Sequence, residues 1–322
     1  MIAAQSIQER RLDELLRRQL GTRILAAIAD PNVTEIIVNE DGRVWIESYQ
    51  KGMHEAGAAL SASQVESLIG TVAASLGNVA NTAHPIVEGE LPIGAIRFEG
   101  LLPPVTRKPC CVMRKPAHVL YTLEDYVRGG ILNDERANVL REAADSRLNV
   151  VIAGGTGSGK TTLAGALINE MVARSDPNER YVIIEDTLEI QCRAANLVQL
   201  HTAEAADMTR LVRTTMRLRP DRIIIGEVRG AEALALLKAW NTGHPGGVTT
   251  IHANSAKAAL TRLSSLVQEA GVPPQPELIA ETINLLAFIV RTPAGRRVKE
   301  LVRVEGYDPR DGFKLKAIEE KQ

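Results

Sequence analysis

Aromatic side chains are scarce. Two Trp, five Tyr and three Phe among 322 residues are too few for the stacking platforms on which bases are often held. The three cysteines, Cys110, Cys111 and Cys192, form no C-x-x-C pair and have no His at ligand spacing, so neither a zinc site nor a disulfide framework is inferred. Long apolar runs are missing as well: the longest, Leu285–Val290, is six residues, against roughly 18 for a membrane-spanning helix. The N-terminus, MIAAQSIQERRLDELLRRQL, carries charges where a signal peptide has its apolar core. Nor is there an excess of one charge. With 38 basic and 39 acidic side chains the net charge is −1, which argues against a chain built mainly to coat nucleic acid. What remains is a cytoplasmic protein with an aliphatic core. Its 45% hydrophobic and 24% charged residues exclude disorder, and its length suggests about two domains.

The first third reads as α+β. Leu and Ile recur at helical spacing over 6–29, TEIIVN (34–39) and VWIES (44–48) read as a hairpin, and residues 61–77 run from an N-cap Ser to a terminal Gly. Residues 84–116, rich in Pro and Gly, suggest short strands and loops. The expected division is a domain over 1–115, a linker over 116–132 and a second domain over 133–322. In the second, NVVIAG (149–154), YVIIED (181–186), RIIIGEV (222–228) and GVTTIHA (247–253) alternate with helical segments at 160–174, 205–218, 230–241, 254–270 and 276–287. Unalternated Val/Ile strands between helices predict a mostly parallel sheet covered on both faces, an α/β domain. The C-terminal residues read as a closing hairpin turning at Asp308–Gly312.

Chemistry is concentrated in Gly154-Gly155-Thr156-Gly157-Ser158-Gly159-Lys160-Thr161, which fits G-x-x-x-x-G-K-[ST] between a strand and a helix. The glycines let successive N–H groups turn inward on phosphate oxygens, where the helix N-terminus adds positive charge. Lys160 is placed for the β- and γ-phosphates, Thr161 for Mg2+ and Thr162 for the α-phosphate, which makes this a nucleoside triphosphate site. Two neighbouring strands end in acids. Glu227 follows three Ile residues, with Gly226 where many P-loop proteins have Asp, and Glu185 and Asp186 end YVIIED. Glu227 is the expected base, holding Mg2+ through water, with Glu185 in support. His252 ends a strand, where it can sense the γ-phosphate or Glu227 or serve structure alone. Arg210, Arg213 and Arg217 at i, i+3 and i+7, followed by Arg219 and Arg222, read as a solvated basic face or a subunit interface. In the first domain, Arg97, Arg107 and Arg114 are of the type that neutralises γ-phosphate charge, though spacing does not separate them from surface arginines.

Four segments in order, GGTGSGKTT, IIEDTLEIQ, RLRPDRIIIGEVRGAEAL and TGHPGGVTTIHANS, resemble the Walker A, Asp box, Walker B and His box of the traffic ATPases of type II and type IV secretion. The N-terminal segments and the lack of a tetracysteine module resemble the TrbB-type conjugal-transfer branch. The resemblance implies a RecA-like domain after a smaller α+β domain and a homohexameric ring with ATP between the domains. It also implies inner-membrane secretion or conjugation channel proteins as partners, and hence a peripheral place at the inner face of the membrane. It assigns Lys160 and Thr161 to phosphate and Mg2+, Glu185 to the Asp box, Glu227 to Walker B, His252 to the His box, and Arg97 and Arg114 to the γ-phosphate. The expected activity is ATP hydrolysis coupled to macromolecular transport. The rival from another class is a RecA-like nucleic-acid motor, so direct contact with DNA stays open.

Overall fold

Short strands that alternate buried and exposed residues build the first unit, residues 1–119, and a separate unit spans 120–322. The computed structural model describes residues 7–48, 51–94, 96–115, 120–203, 205–293 and 295–319. Residues 116–119 of the expected linker lie outside the described residues.

The first unit opens with α1 (Ile7–Ala29), in which Gly21 (φ +69°, ψ 169°) breaks the helical path that a single apolar periodicity had suggested. Strands β1 (Val33–Val38), β2 (Arg43–Ser48) and β3 (Gly52–Ala59) follow, then α2 (Ala62–Ser75), β4 (Ile86–Leu91), β5 (Ile96–Leu101) and β6 (Cys110–Arg114). Ser61 and Gln64 close a capping box at the start of α2. The sheet has the order β3-β2-β1-β6-β5-β4, and its paired strands are antiparallel. Leu16, Leu20 and Ile24 of α1 and Leu68, Ile69 and Val72 of α2 pack on it in one apolar cluster.

The second unit contains α3 (Leu123–Arg128), α4 (Asp134–Asp145), β7 (Val150–Gly154), α5 (Lys160–Arg174), β8 (Arg180–Glu185) and β9 (Asn196–His201). It continues through α6 (Met208–Thr215), β10 (Arg222–Ile225), α7 (Glu232–Asn241), β11 (Val248–His252), α8 (Ala256–Gln268) and α9 (Pro276–Thr282). Strands β12 (Leu285–Thr292), β13 (Gly295–Asp308) and β14 (Gly312–Ala317) end it. The sheet order is β14-β13-β12-β7-β11-β10-β8-β9, parallel from β12 to β9, with β13 and β14 antiparallel at one edge. Apolar clusters cover both faces. The expected α/β, RecA-like domain with a mostly parallel sheet after a smaller α+β domain is thus borne out.

Three local expectations are corrected. The helix expected over 276–287 ends at Thr282, and the six-residue apolar run becomes β12, paired parallel to β7. A run buried on both faces has no periodicity that separates strand from helix. Helix α6 stops at Thr215, so Arg217 lies beyond it and no single helix face carries all three arginines. Arg222 is not on a basic surface either: it is 2% exposed, and its guanidinium donates to Glu179 Oε2 (3.0 Å) and to the Gly246 and Ala144 carbonyls. There it ties the start of β10 to the loop before β11.

Candidate active site

Strand β7 lies between β11 and β12, so the loop from Gly154 to Lys160 opens at the carboxyl end of the sheet, where α/β folds bind ligands. Gly159 starts α5 at φ +97°, and a Cβ there would stand 2.9 Å from Cδ of Arg296, so only glycine fits both the turn and the space. Helices α2, α3, α4, α6 and α8 have Ser61, Thr122, Asn133, Asp207 and Ser255 as side-chain caps. Helix α5 has no side-chain cap. Its first N–H groups are therefore left for an external acceptor. Lys160 is buried, and its Nζ donates to the Gly155 carbonyl (3.0 Å), which also accepts from Ser158 Oγ (2.9 Å). An ammonium folded back onto its own loop, beside an uncapped helix start, is a cationic arrangement suited to phosphate. Thr161 and Thr162 stand half-buried on the first turn of α5.

Gly226 has a local cause. A Cβ on it would lie 2.9 Å from Cγ of Glu185, so the Asp common at this position has no room. Glu185 is buried, and its Oε1 accepts from the backbone N–H of Glu189 and of Ile190, both at 3.0 Å. The Glu185 carboxylate therefore fixes the chain that follows β8. Glu227 continues the path of β10, held by a Thr250 Oγ1 bond to the Gly226 carbonyl (2.8 Å) and a Val228 N–H bond to the Thr250 carbonyl (3.0 Å).

Five charged or titratable side chains then meet in a row. Lys160 Nζ lies 3.3 Å from His252 Nδ1, and His252 Nε2 lies 2.9 Å from Glu227 Oε1. Arg229 donates to Glu227 Oε2 from Nε (2.8 Å) and Nη2 (2.5 Å), and its Nη1 lies 3.3 Å from Asp186 Oδ2. His252 reaches this row because it pairs in register with Gly154 across β11 and β7. Burial pushes the His252 imidazole below the usual histidine range, and Lys160 and Arg229 add to that against the pull of Glu227. Burial thus favours the neutral ring. An ammonium only donates, so Nδ1 accepts and the proton sits on Nε2, facing Glu227. The Nε2–Oε1 contact has ion-pair distance without hydrogen-bond alignment, and Glu227 Oε1 is buried with no hydrogen-bond partner among the described residues.

Arg97 and Arg114 come together within the first unit, directly opposite each other on β5 and β6. Acids flank the pair in register on both sides, Glu35 opposite Arg114 on β1 and Glu90 opposite Arg97 on β4. Glu35 Oε1 lies 3.7 Å from Arg114 Nε at one end of the row. Sequence reasoning missed Arg229, whose signal was only its place two residues after Glu227, and Arg296, which reaches the P-loop through the β12–β13 pairing. It also missed Glu232, whose Oε1 accepts from the N–H groups of Arg229 (2.6 Å) and Gly230 (2.8 Å).

A glycine-rich phosphate cradle at the centre of a mostly parallel sheet, with acids on the neighbouring strand ends, defines a P-loop nucleotide-binding domain of RecA-like type. The chain belongs to the family of type II/IV secretion system proteins, whose model matches residues 18–305, as the four motifs had indicated. It is 52% identical over 297 residues to a probable conjugal transfer protein TrbB of Sinorhizobium fredii, covering 92% of this chain and 91% of that protein. It is 30% identical over 332 residues to the type IV secretion system protein VirB11 of Bartonella quintana, covering 89% and 91%. Its fold is shared with the Legionella pneumophila ATPase DotB at TM-score 0.61 and 24% identity, covering 89% of this chain and 80% of that one.

Proposed function

We propose that this chain hydrolyses ATP to ADP and phosphate at the loop 154–162 and works as a homohexameric ring powering a type IV secretion or conjugal-transfer machine. The observation that carries this reading is the Glu227 carboxylate: Oε2 is held by Arg229, while Oε1 is buried, without a hydrogen bond, in line with His252 and Lys160. That oxygen, near His252 but without a hydrogen bond, is the atom to accept a proton from water attacking the γ-phosphorus. Lys160 exchanges its bond to Gly155 for phosphate oxygens, and the open N–H groups of α5 take the remaining negative charge. When Lys160 turns to phosphate, His252 Nδ1 loses its donor, so the imidazole registers nucleotide beside the base. Glu185 supports the site by holding the chain after β8.

The donor set fits Mg2+. The Thr161 hydroxyl is a hard oxygen ligand, and the Glu227 carboxylate, whose Oε1 is a buried acceptor, would hold the ion only through a bound water. When bound, Mg2+ would neutralise phosphate charge. The family resemblance supports Arg97 and Arg114 as cations for a γ-phosphate. No helix among the described residues is long and apolar enough to cross a membrane. We place the chain peripherally at the inner face of the cytoplasmic membrane, on inner-membrane channel proteins, a reading the secretion and conjugation relatives support.

The test is the mass of the purified protein by light scattering with and without ATP, beside phosphate release with and without single-stranded DNA. A hexamer and DNA-independent turnover are expected. A monomer under all conditions, or hydrolysis that needs DNA and collapses with salt, would replace the ring protein motor with the nucleic-acid motor.

A further inference from the structure

We propose that Arg229 is a positioning residue for hydrolysis, selecting which oxygen of Glu227 meets water; the inference rests on ATP hydrolysis at this site. Arginine side chains 59% exposed, as this one is, ordinarily contribute little through a surface ion pair. The geometry here is of another kind. Two of its N–H groups converge on the same oxygen, Oε2, rather than bridging both oxygens of the carboxylate. The third nitrogen, Nη1, lies 3.3 Å from Asp186 Oδ2, and Asp186 Oδ1 accepts from Thr202 Oγ1 at 3.2 Å. The guanidinium therefore bridges the residue after β8 and the residue after Gly226, the two strand ends that carry the site's acids.

Its root is fixed as well. Glu232 is buried at the start of α7, and its Oε1 takes the N–H groups of both Arg229 and Gly230. With the side chain pinned at its head and the backbone at its base, the Glu227 carboxylate is not free to turn about its terminal bond. Oε2 keeps its two Arg229 donors, while Oε1 keeps only the misaligned 2.9 Å contact with His252 Nε2 and no hydrogen bond. Without Arg229, either oxygen can swing to His252 Nε2 and accept its proton as a hydrogen bond, which lowers the availability of a base for water. Lysine cannot replace this arrangement, because one ammonium offers no planar fork to hold one oxygen twice and reach a second acid. The phosphate cradle of Lys160 and α5 does not use Arg229, so nucleotide binding should survive its loss.

The experiment is steady-state phosphate release by the full chain in wild type, Arg229→Gln, Arg229→Lys and Asp186→Asn, with a thermal midpoint for each. Arg229→Gln should lower kcat by about tenfold to a hundredfold with KM for ATP within about twofold, the scale of a misplaced catalytic group. Arg229→Lys should recover only part of that loss. Asp186→Asn, which weakens only the outer arm, should fall between wild type and Arg229→Gln. A wild-type kcat in Arg229→Gln, a KM rise matching the kcat fall, or full rescue by lysine would overturn the inference while leaving ATP hydrolysis in place. A wild-type chain that releases no phosphate would overturn the hydrolysis reading, and this inference with it.

Discussion

Replacing Gly226 with alanine adds one methyl group, and the structure says what that methyl meets. Its carbon would stand 2.9 Å from Glu185 Cγ, 3.3 Å from Oε1 and 3.5 Å from Cδ. Glu185 is not an idle side chain that can step aside, because its buried carboxylate holds the N–H groups of Glu189 and Ile190. Either those bonds break, at about 1–3 kcal/mol for buried donors left unpaired, or the strands spread, at a similar 1–3 kcal/mol for overpacking. We expect a loss of about 2 kcal/mol. In a Glu185→Ala background the obstruction is gone, and Gly226→Ala should be neutral or stabilising by up to about 1 kcal/mol, since alanine restricts the unfolded chain. The two substitutions should therefore couple by about 2 kcal/mol or more. The assay is guanidinium denaturation followed by Trp240 fluorescence in a Trp45→Phe chain. Trp240 is buried in the second unit and donates to the Ile223 carbonyl of β10, close to the perturbed strands. Equal costs of Gly226→Ala in the two backgrounds would refute the idea that Glu185 sets residue 226.

Lys160→Ala should remove nucleotide binding, measured by titration with a fluorescent ATP analogue; wild-type affinity would take the ammonium out of the cradle. Arg114→Ala should lower turnover more than ATP affinity. Turnover and ATP affinity both at wild-type levels in this variant would take Arg114 out of the site. Burial pushes the Cys111 thiol from its ordinary 9.0 up to about 12. The folded form thus resists ionisation that the unfolded chain undergoes, so stability is unaffected below pH 9 and falls between pH 9 and about 12. The loss is about 1.4 kcal/mol at pH 10 and should disappear in Cys111→Ala; an unchanged alkaline decline in that variant would refute it.

The parts of the fold that were legible in the sequence are those whose local pattern has one structural solution. The strands of the second unit around the P-loop are short, unalternated Val/Ile runs between helical segments, and β7, β8, β10 and β11 lie where they were read. Edge strands β3 and β9 went unread because GMHEAGAA and NLVQLH carry no long apolar run, and none of their residues is fully buried. Helices α3 and α4 went unread because their turns are marked by capping bonds from Thr122 and Asn133 rather than by a broad apolar stripe. The P-loop was complete in the sequence, since its function depends on consecutive residues. The remaining geometry depends on partners distant in the chain: His252 beside Gly154, Arg97 opposite Arg114, and Glu185 against Gly226. Register across strands decides those contacts, and a single sequence does not state it.

The measurement closest to the central claim is ATP turnover by Glu227→Gln beside its ATP binding. The substitution keeps the shape that Arg229 grips and removes the basic oxygen facing His252. The account predicts normal or tighter ATP binding with kcat reduced by about a hundredfold or more, the usual contribution of a general base. A kcat within threefold of wild type would contradict it and pass the role of base to another group.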